Sequence, residues 1–304
     1  MKVDNKMNII FYNLKKSVSD SFENTDLDKV NYALQKIDSP TLVTGVGGSN
    51  VVSCFASKVL NKKNNIIATN VEMRDILYMN LAGYDNILSC SYSGNNYGVL
   101  MSFSNDLKHY LLTTNKRSFD GVNTINYNMP CEESFVSLAA TLVPCSILLN
   151  YYYDGCGDIL KEIDEYNYSF DRGCDCFEIF SGYDTSVLSN YLDSTMIESG
   201  IGIPIIHDKY AFCHGRSTIS KYSDSIAIYF NKDTEFDKLM LKLLSDYYKS
   251  VIKIDVGDGL IGEYNALVQV MYLTKYLACS DNKSLSDVNY SPLVYKLYNF
   301  KGKI

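Results

Sequence analysis

The sequence predicts an α/β protein of two similar halves, each a five-stranded, doubly wound parallel sheet flanked by helices. Three observations predict it. Short apolar runs alternate with amphipathic stretches from Thr41 onward, the rhythm of parallel strands joined by crossover helices. Small-residue turns punctuate that rhythm. It restarts after about Asp171.

The elements follow in order. Apolar residues recur at helical spacing through Val30–Ile37, so residues 1–38 read as a helical segment. Thr41–Gly45 reads as a strand and Ser49–Leu60 as a helix with Ser49 as its N-cap. A second strand and helix are expected at Asn65–Thr69 and Val71–Leu81, a third pair at Asn86–Ser91 and Asn96–Leu107. Strands at Tyr110–Thr114 and Val122–Tyr127 precede a long helix from Glu132 to about Tyr152. Right-handed crossovers turn this order into a flavodoxin-like sheet. The boundary falls near Tyr151–Asp158, giving halves at residues 39–155 and 156–304. In the second half, strands are expected at Cys176–Gly182, Ile203–His207, Ser225–Phe230 and Val251–Val256. Helices are expected at Ser186–Ser199, Glu235–Lys249 and Ile261–Ala278, followed by a tail.

Composition excludes several classes. The chain has 304 residues, 46% hydrophobic and 21% charged, with five prolines, which is enough apolar material for a globular core. A net charge of -7 offers no basic face to nucleic acid and fits an anionic membrane poorly. No helix-turn-helix pattern is evident. The longest apolar stretch, Phe135–Tyr153, is interrupted by Pro144 and reads as a buried helix and not a membrane span. The opening residues lack the continuous apolar core of a signal peptide. Nine scattered cysteines without a CxxC pair fit reduced thiols and a cytoplasmic location. Cys174 and Cys176 have no histidine at zinc spacing, so neither a metal nor another cofactor is expected.

Two loops carry polar chemistry. "TGVGGSN" (Thr44–Asn50) joins the first strand to its helix, and its glycines permit close backbone approach where a helix N-terminus favours an anion. It is neither a Walker loop nor a dinucleotide fingerprint. "SCSYSGNN" (Ser89–Asn96) follows the third strand, with the hydroxyls of Ser89, Ser91 and Ser93 and a flexible Gly94. A doubly wound sheet brings both loops to the same carboxyl edge, where ligands bind. A tight connection without ligand, or simple N-capping, would use the same residues. Two such loops at adjoining strand ends favour the anion.

On these residues the chain resembles the sugar isomerase (SIS) domain, whose motifs are a glycine-rich loop ending in serine and then Ser-x-Ser-Gly-x-Thr. Here the second motif runs Ser91-Tyr92-Ser93-Gly94-Asn95-Asn96, with Asn96 in place of threonine. The two-halved layout is similar to the isomerase part of glucosamine-6-phosphate synthase and to fructosamine-phosphate deglycases. The resemblance implies that Gly47, Gly48, Ser49, Ser91, Tyr92, Ser93 and Asn96 surround a phosphate, and that Val136 and Ser137 are further contacts.

Moving a proton between neighbouring carbons requires a base that returns it and a group that serves the ring oxygen. Glu198 ends a predicted helix, and His214-Gly215 follows sixteen positions after Glu198. The resemblance assigns Glu198 as the proton-transfer base, His214 as the ring-opening group and Lys296 as a tail lysine over the sugar. By residue type alone, Glu198 also suits an exposed helix end and His214 a structural role. Ala211 and Arg216 depart from the amidotransferase pattern, and Arg216 could reach a second anionic group. The expected function is a metal-independent sugar-phosphate isomerase or deglycase. The alternative is a non-catalytic, phosphosugar-sensing regulator. The expected partners are a phosphorylated sugar or amino sugar and a second copy in a homodimer.

Overall fold

The computed structural model describes residues 2–95, 97–155, 165–170, 172–220, 224–286 and 291–298. Nine strands among them form two all-parallel sheets. The first holds β1 (Thr41–Gly45), β2 (Ala68–Glu72), β3 (Asn86–Cys90), β4 (Lys108–Thr113) and β5 (Val122–Asn126), in the order β2-β1-β3-β4-β5. The second holds β6 (Cys176–Ser181), β7 (Ile203–Asp208), β8 (Ile226–Asn231) and β9 (Val251–Asp255), in the order β7-β6-β8-β9. It therefore has four strands, not five, among the described residues. The sequence itself offered four strand candidates in that half, so the fifth rested on symmetry alone.

The helices are α1 (Lys2–Asn24), α2 (Leu27–Gln35), α3 (Gly48–Lys63), α4 (Tyr97–Ser102), α5 (Ala139–Tyr152), α6 (Ser186–Ser199), α7 (Glu235–Tyr247), α8 (Gly259–Ser280) and α9 (Pro292–Tyr298). Among the described residues, none is long and apolar enough to cross a membrane. The chain divides into two units. Residues 12–155 and α9 belong to the unit of the first sheet, and residues 2–11 and 165–285 to that of the second.

Strand order positions the site. β1 and β3 are neighbours, and the connections leaving them pass to opposite faces of the sheet. This topological switch opens a crevice at the carboxyl edge between the two strands. Both strands are buried along their whole length, as central parallel strands covered on two faces must be. Helix α3 packs on α5, and every described position of α5 from Ala139 to Tyr151 is buried, including Pro144. Pro144 costs one helix hydrogen bond, which the apolar surroundings of the helix offset.

Three local expectations shift. The second strand begins at Ala68 and not Asn65, because Asn65 takes a left-handed backbone (φ 54°) and Asn61 pairs with Ala68 through both its backbone groups. The helix expected over Val71–Leu81 shrinks to a single 3-10 turn, Asp75–Leu77, because β2 stays paired with β1 out to Glu72. Helix α4 stops at Ser102, whose carbonyl accepts from the Asn105 side chain.

Candidate functional site

The first loop is shaped by its glycines. Gly47 adopts φ 57°, ψ -129°, a conformation open only to glycine. A Cβ on Gly48 would lie 2.2 Å from Ser137 Cβ and 2.9 Å from Thr141 Oγ1. Gly47, and not Ser49, is therefore the N-cap, and Ser49 sits in the first turn of α3. Its amide donates to Val46 O (3.1 Å), and the Asn50 amide donates to Gly47 O (2.8 Å). No side chain among the described residues caps this sixteen-residue helix. Its positive end lies at the carboxyl edge of β1 without a side-chain partner, while the Ser49 and Asn50 amides turn back onto Val46 O and Gly47 O.

The second loop is fixed from one side. Ser91 donates its amide to Leu112 O (3.0 Å), and its hydroxyl accepts from the Gly94 amide (3.1 Å). Gly94 is left-handed at φ 64°. Ser93 is exposed, with a long bond from the Asn95 amide to its Oγ (3.4 Å). Ser89 turns inward instead, bonded to Ser102 Oγ (2.9 Å) in the core, so it offers no hydroxyl to the crevice. Tyr92 is half-buried, and burial pushes its phenol above the usual range. Asn96 lies outside the described residues.

The connection before α5 completes the cradle. Glu132 accepts from the Ala140 amide (2.8 Å) and from Ser134 Oγ (2.7 Å), so its carboxylate serves as the cap of α5. Burial raises its carboxyl above the usual range. This holds residues 134–138 as a loop and delays the helix to Ala139. Ser137 is thereby set against Gly48, beside the crevice. Val136 goes the other way: its side chain is fully buried.

The second sheet has the same switch point, between β6 and β8, but the protein's own carboxylates fill the helix starts there. Glu263 accepts from the Val187 amide in the first turn of α6 (3.3 Å). Asp237 accepts from Thr234 Oγ1 (2.6 Å), the Thr234 and Lys232 amides (3.1 and 3.2 Å) and Tyr229 OH (2.5 Å). Buried Lys209 stands 3.4 Å from Asp237, and Lys232 pairs with Asp184 at 2.7 Å. An external anion would meet fixed negative charge in this half. In the first half it meets an uncapped helix.

Glu198 lies in the last turn of α6, which Gly200 closes in the left-handed conformation. Its carboxyl accepts from Ser194 Oγ (3.0 Å), and burial raises it above the usual glutamate range. His214 is exposed in the turn Phe212–Arg216, with non-helical dihedrals at His214 (φ -92°, ψ 42°) and Gly215 (φ 108°, ψ -18°). Arg216 and Lys296 are also exposed. No hydrogen bond joins Glu198 to His214 among the described residues.

Sequence reasoning missed one buried centre. Glu178, 3% exposed in the middle of β6, accepts from His207 Nε2 (2.9 Å), Ser220 Oγ (2.6 Å), Ser225 Oγ (2.6 Å) and Tyr248 OH (2.6 Å). These donors hold its carboxyl down at about 2, against the opposing effect of burial. A carboxylate that only accepts fixes the shared proton on His207 Nε2, and Nδ1 has no partner among the described residues. The network anchors Ser220, at the end of the segment that carries His214. The available signal was a glutamate inside an otherwise apolar strand, "CFEIFS". Among the described residues no group of three His, Cys, Asp or Glu side chains could hold a metal.

No family model and no curated protein matches the sequence. Solved structures do match its fold. The C-terminal domain of glucosamine-fructose-6-phosphate aminotransferase from Francisella tularensis aligns with TM-score 0.69 at 12% identity, covering 94% of this chain and 98% of that one. Glucosamine-6-phosphate deaminase from Thermotoga maritima gives 0.69 at 16% identity, with the same coverage. Tagatose-6-phosphate ketose/aldose isomerase from Escherichia coli gives 0.66 at 14% identity, covering 91% and 93%. The fold of this chain is that of SIS proteins.

Proposed function

We propose that this chain binds a phosphorylated sugar or amino sugar at the cradle between β1 and β3 and interconverts aldose and ketose forms, or removes an amine, without a metal. The observation that carries the reading is the uncapped start of α3, facing a second loop of small hydroxyl-bearing residues across the switch point. Backbone amides, Ser49 and Ser93 supply donors to a phosphate ester, and Ser137 borders it. The fold neighbours whose names specify a phosphosugar support this reading.

Glu198 and His214 are proposed to move protons. Glu198 takes the proton from the carbon next to the carbonyl, leaving an enediolate; the hydroxyl proton on that carbon passes to the former carbonyl oxygen, and Glu198 returns its proton to the former carbonyl carbon. Burial raises Glu198, which makes it a better proton carrier near neutral pH than an exposed carboxylate. His214 serves the ring oxygen, and Lys296 and Arg216 are proposed as contacts to the substrate. The reading also includes a homodimer in the cytoplasm.

Calorimetry with fructose 6-phosphate, glucosamine 6-phosphate and tagatose 6-phosphate tests binding. Ser49→Ala together with Ser93→Ala should weaken the best ligand about a hundredfold, since each lost hydrogen bond to an anion costs about 1.5 kcal/mol. Proton exchange into deuterated solvent tests turnover, and Glu198→Gln should abolish it while leaving binding within about threefold. Parent-level affinity in the double serine variant would overturn the cradle. Tight binding with no exchange by the parent would mark a sensor.

A further inference from the structure

We infer that Asn115 is a positioning residue that turns the peptide dipoles of the second loop toward the anion; this rests on the phosphosugar reading above. Asn115 follows β4, and its side-chain amide donates to Ser93 O (2.8 Å) and to Asn95 Oδ1 (3.3 Å). Its Oδ1 accepts from the Arg117 amide (2.9 Å), its own amide donates to Thr113 Oγ1 (3.1 Å), and its carbonyl accepts from the Asn126 side chain. Gly94 is seated on it: a Cβ at Gly94 would lie 3.3 Å from Asn115 Cβ and 3.1 Å from Thr113 Oγ1. The preceding carbonyl, Tyr92 O, is held from the same strand by Thr113 Oγ1 (3.0 Å), Thr114 Oγ1 (2.9 Å) and the Thr114 amide (3.2 Å).

These bonds have a direction. In the sheet β3 lies between β1 and β4. Both carbonyls of the loop, Tyr92 O and Ser93 O, are drawn toward the β4 side. In a trans peptide the N–H points opposite to the C=O, and no peptide here is cis. The N–H groups of Ser93 and Gly94 are therefore turned toward β1, the side of the glycine loop. The Gly94 amide meets Ser91 Oγ on the way, which leaves the Ser91 hydroxyl proton to donate outward. The negative ends of two peptide dipoles are thus turned away from the cradle: the Ser93 amide faces it directly, and the Gly94 amide acts on it through the Ser91 hydroxyl to which it donates. Asn115 is the side chain that fixes the second of these peptides.

The test uses the whole chain and fructose 6-phosphate as probe, or whichever of the three sugar phosphates above binds best. Asn115→Ala removes the donor to Ser93 O and should weaken binding about tenfold, with the melting temperature without ligand within a few degrees of the parent. Asn115→Asp keeps the acceptor for the Arg117 amide but sets a carboxylate against Ser93 O. It should bind more weakly still at low ionic strength, and part of that loss should return at about 0.2 M salt, where charges more than roughly 8 Å apart are screened. Salt also relieves the parent's own repulsion of a dianion, so the deciding variant is the uncharged Asn115→Ala: a purely structural role would lower its melting temperature without ligand together with binding, whereas a positioning role lowers binding alone. If the serine variants weaken binding and both Asn115 variants bind like the parent, the positioning role is wrong and the cradle stands. If the parent takes up none of the three sugar phosphates, the phosphosugar reading falls and this inference with it.

Discussion

A single buried carboxylate, Glu178, joins more of the second half than any residue that was read as functional. Its four donors come from β7, from Ser220, from the lead into β8 and from Tyr248 beyond α7. Replacing it with glutamine puts an NH2 among groups that donate, and breaking such a buried centre costs about 3 kcal/mol. Denaturant unfolding should show that loss for Glu178→Gln at pH 7. The sign with pH is definite. Glu178 is depressed to about 2, so its stabilisation is complete above its unfolded value near 4.5 and is lost as pH falls through about 2. Asp237, also held at about 2, acts in the same sense. Glu132 and Glu198 act oppositely: burial raises both, so protonation favours the folded chain and their cost appears as pH rises through the raised values. The Glu178→Gln variant should therefore lose less stability than the parent between pH 5 and pH 2, measured by denaturant midpoints. Sequence alone displayed Glu178 but not its donors, because they are drawn from positions between 29 and 70 residues away.

Among the elements, the start of α3 is the most sensitive. Gly48 touches Ser137, so the first turn of α3 and the loop before α5 share one surface. Gly48→Ala would force Cβ to within 2.2 Å of Ser137 Cβ. The expected result is a loss of about 2 kcal/mol in unfolding free energy, typical of overpacking, and a loss of sugar-phosphate binding by calorimetry. Pairing it with Ser137→Gly should recover part of both. The glycine loop itself was legible, since three glycines between a strand and a helix have few other uses. The exact cap was not. Ser49 has the right chemistry for an N-cap, but the Ser49 amide bonds back to Val46 O and the helix begins at Gly48. Nor could the true start of α5 be read, because its capping carboxylate, Glu132, stands seven positions before Ala139 and outside any capping-box spacing. Apolar periodicity placed a helix over Val71–Leu81, where pairing with β1 took the first residues into a strand. Long-range pairing of this kind overrides local propensity and leaves little local trace.

At the scale of the molecule, the sheet order and the place of the switch point followed from the alternation of elements, because handedness leaves few alternatives. The asymmetry between the halves was legible as the lack of a serine-rich loop in the second. Its cause was not: the capping carboxylates Glu263 and Asp237 reach the second sheet's helix starts from within the core. On the proposed function, one sugar phosphate per chain is the expected stoichiometry, checked by calorimetry.

A cradle built from hydroxyls and peptide amides also sets how the protein should respond to its medium. Sites that grip phosphate with lysine or arginine surrender affinity as electrolyte accumulates. The groups proposed here to hold the phosphate itself are neutral, and the surrounding molecule carries a net charge of -7, which would repel an incoming dianion over long range. Added potassium chloride should relieve that repulsion. Between about 10 mM and about 0.2 M, stopped-flow measurements should find capture of the sugar phosphate unchanged or quicker, the reverse of what an ionic clamp would give.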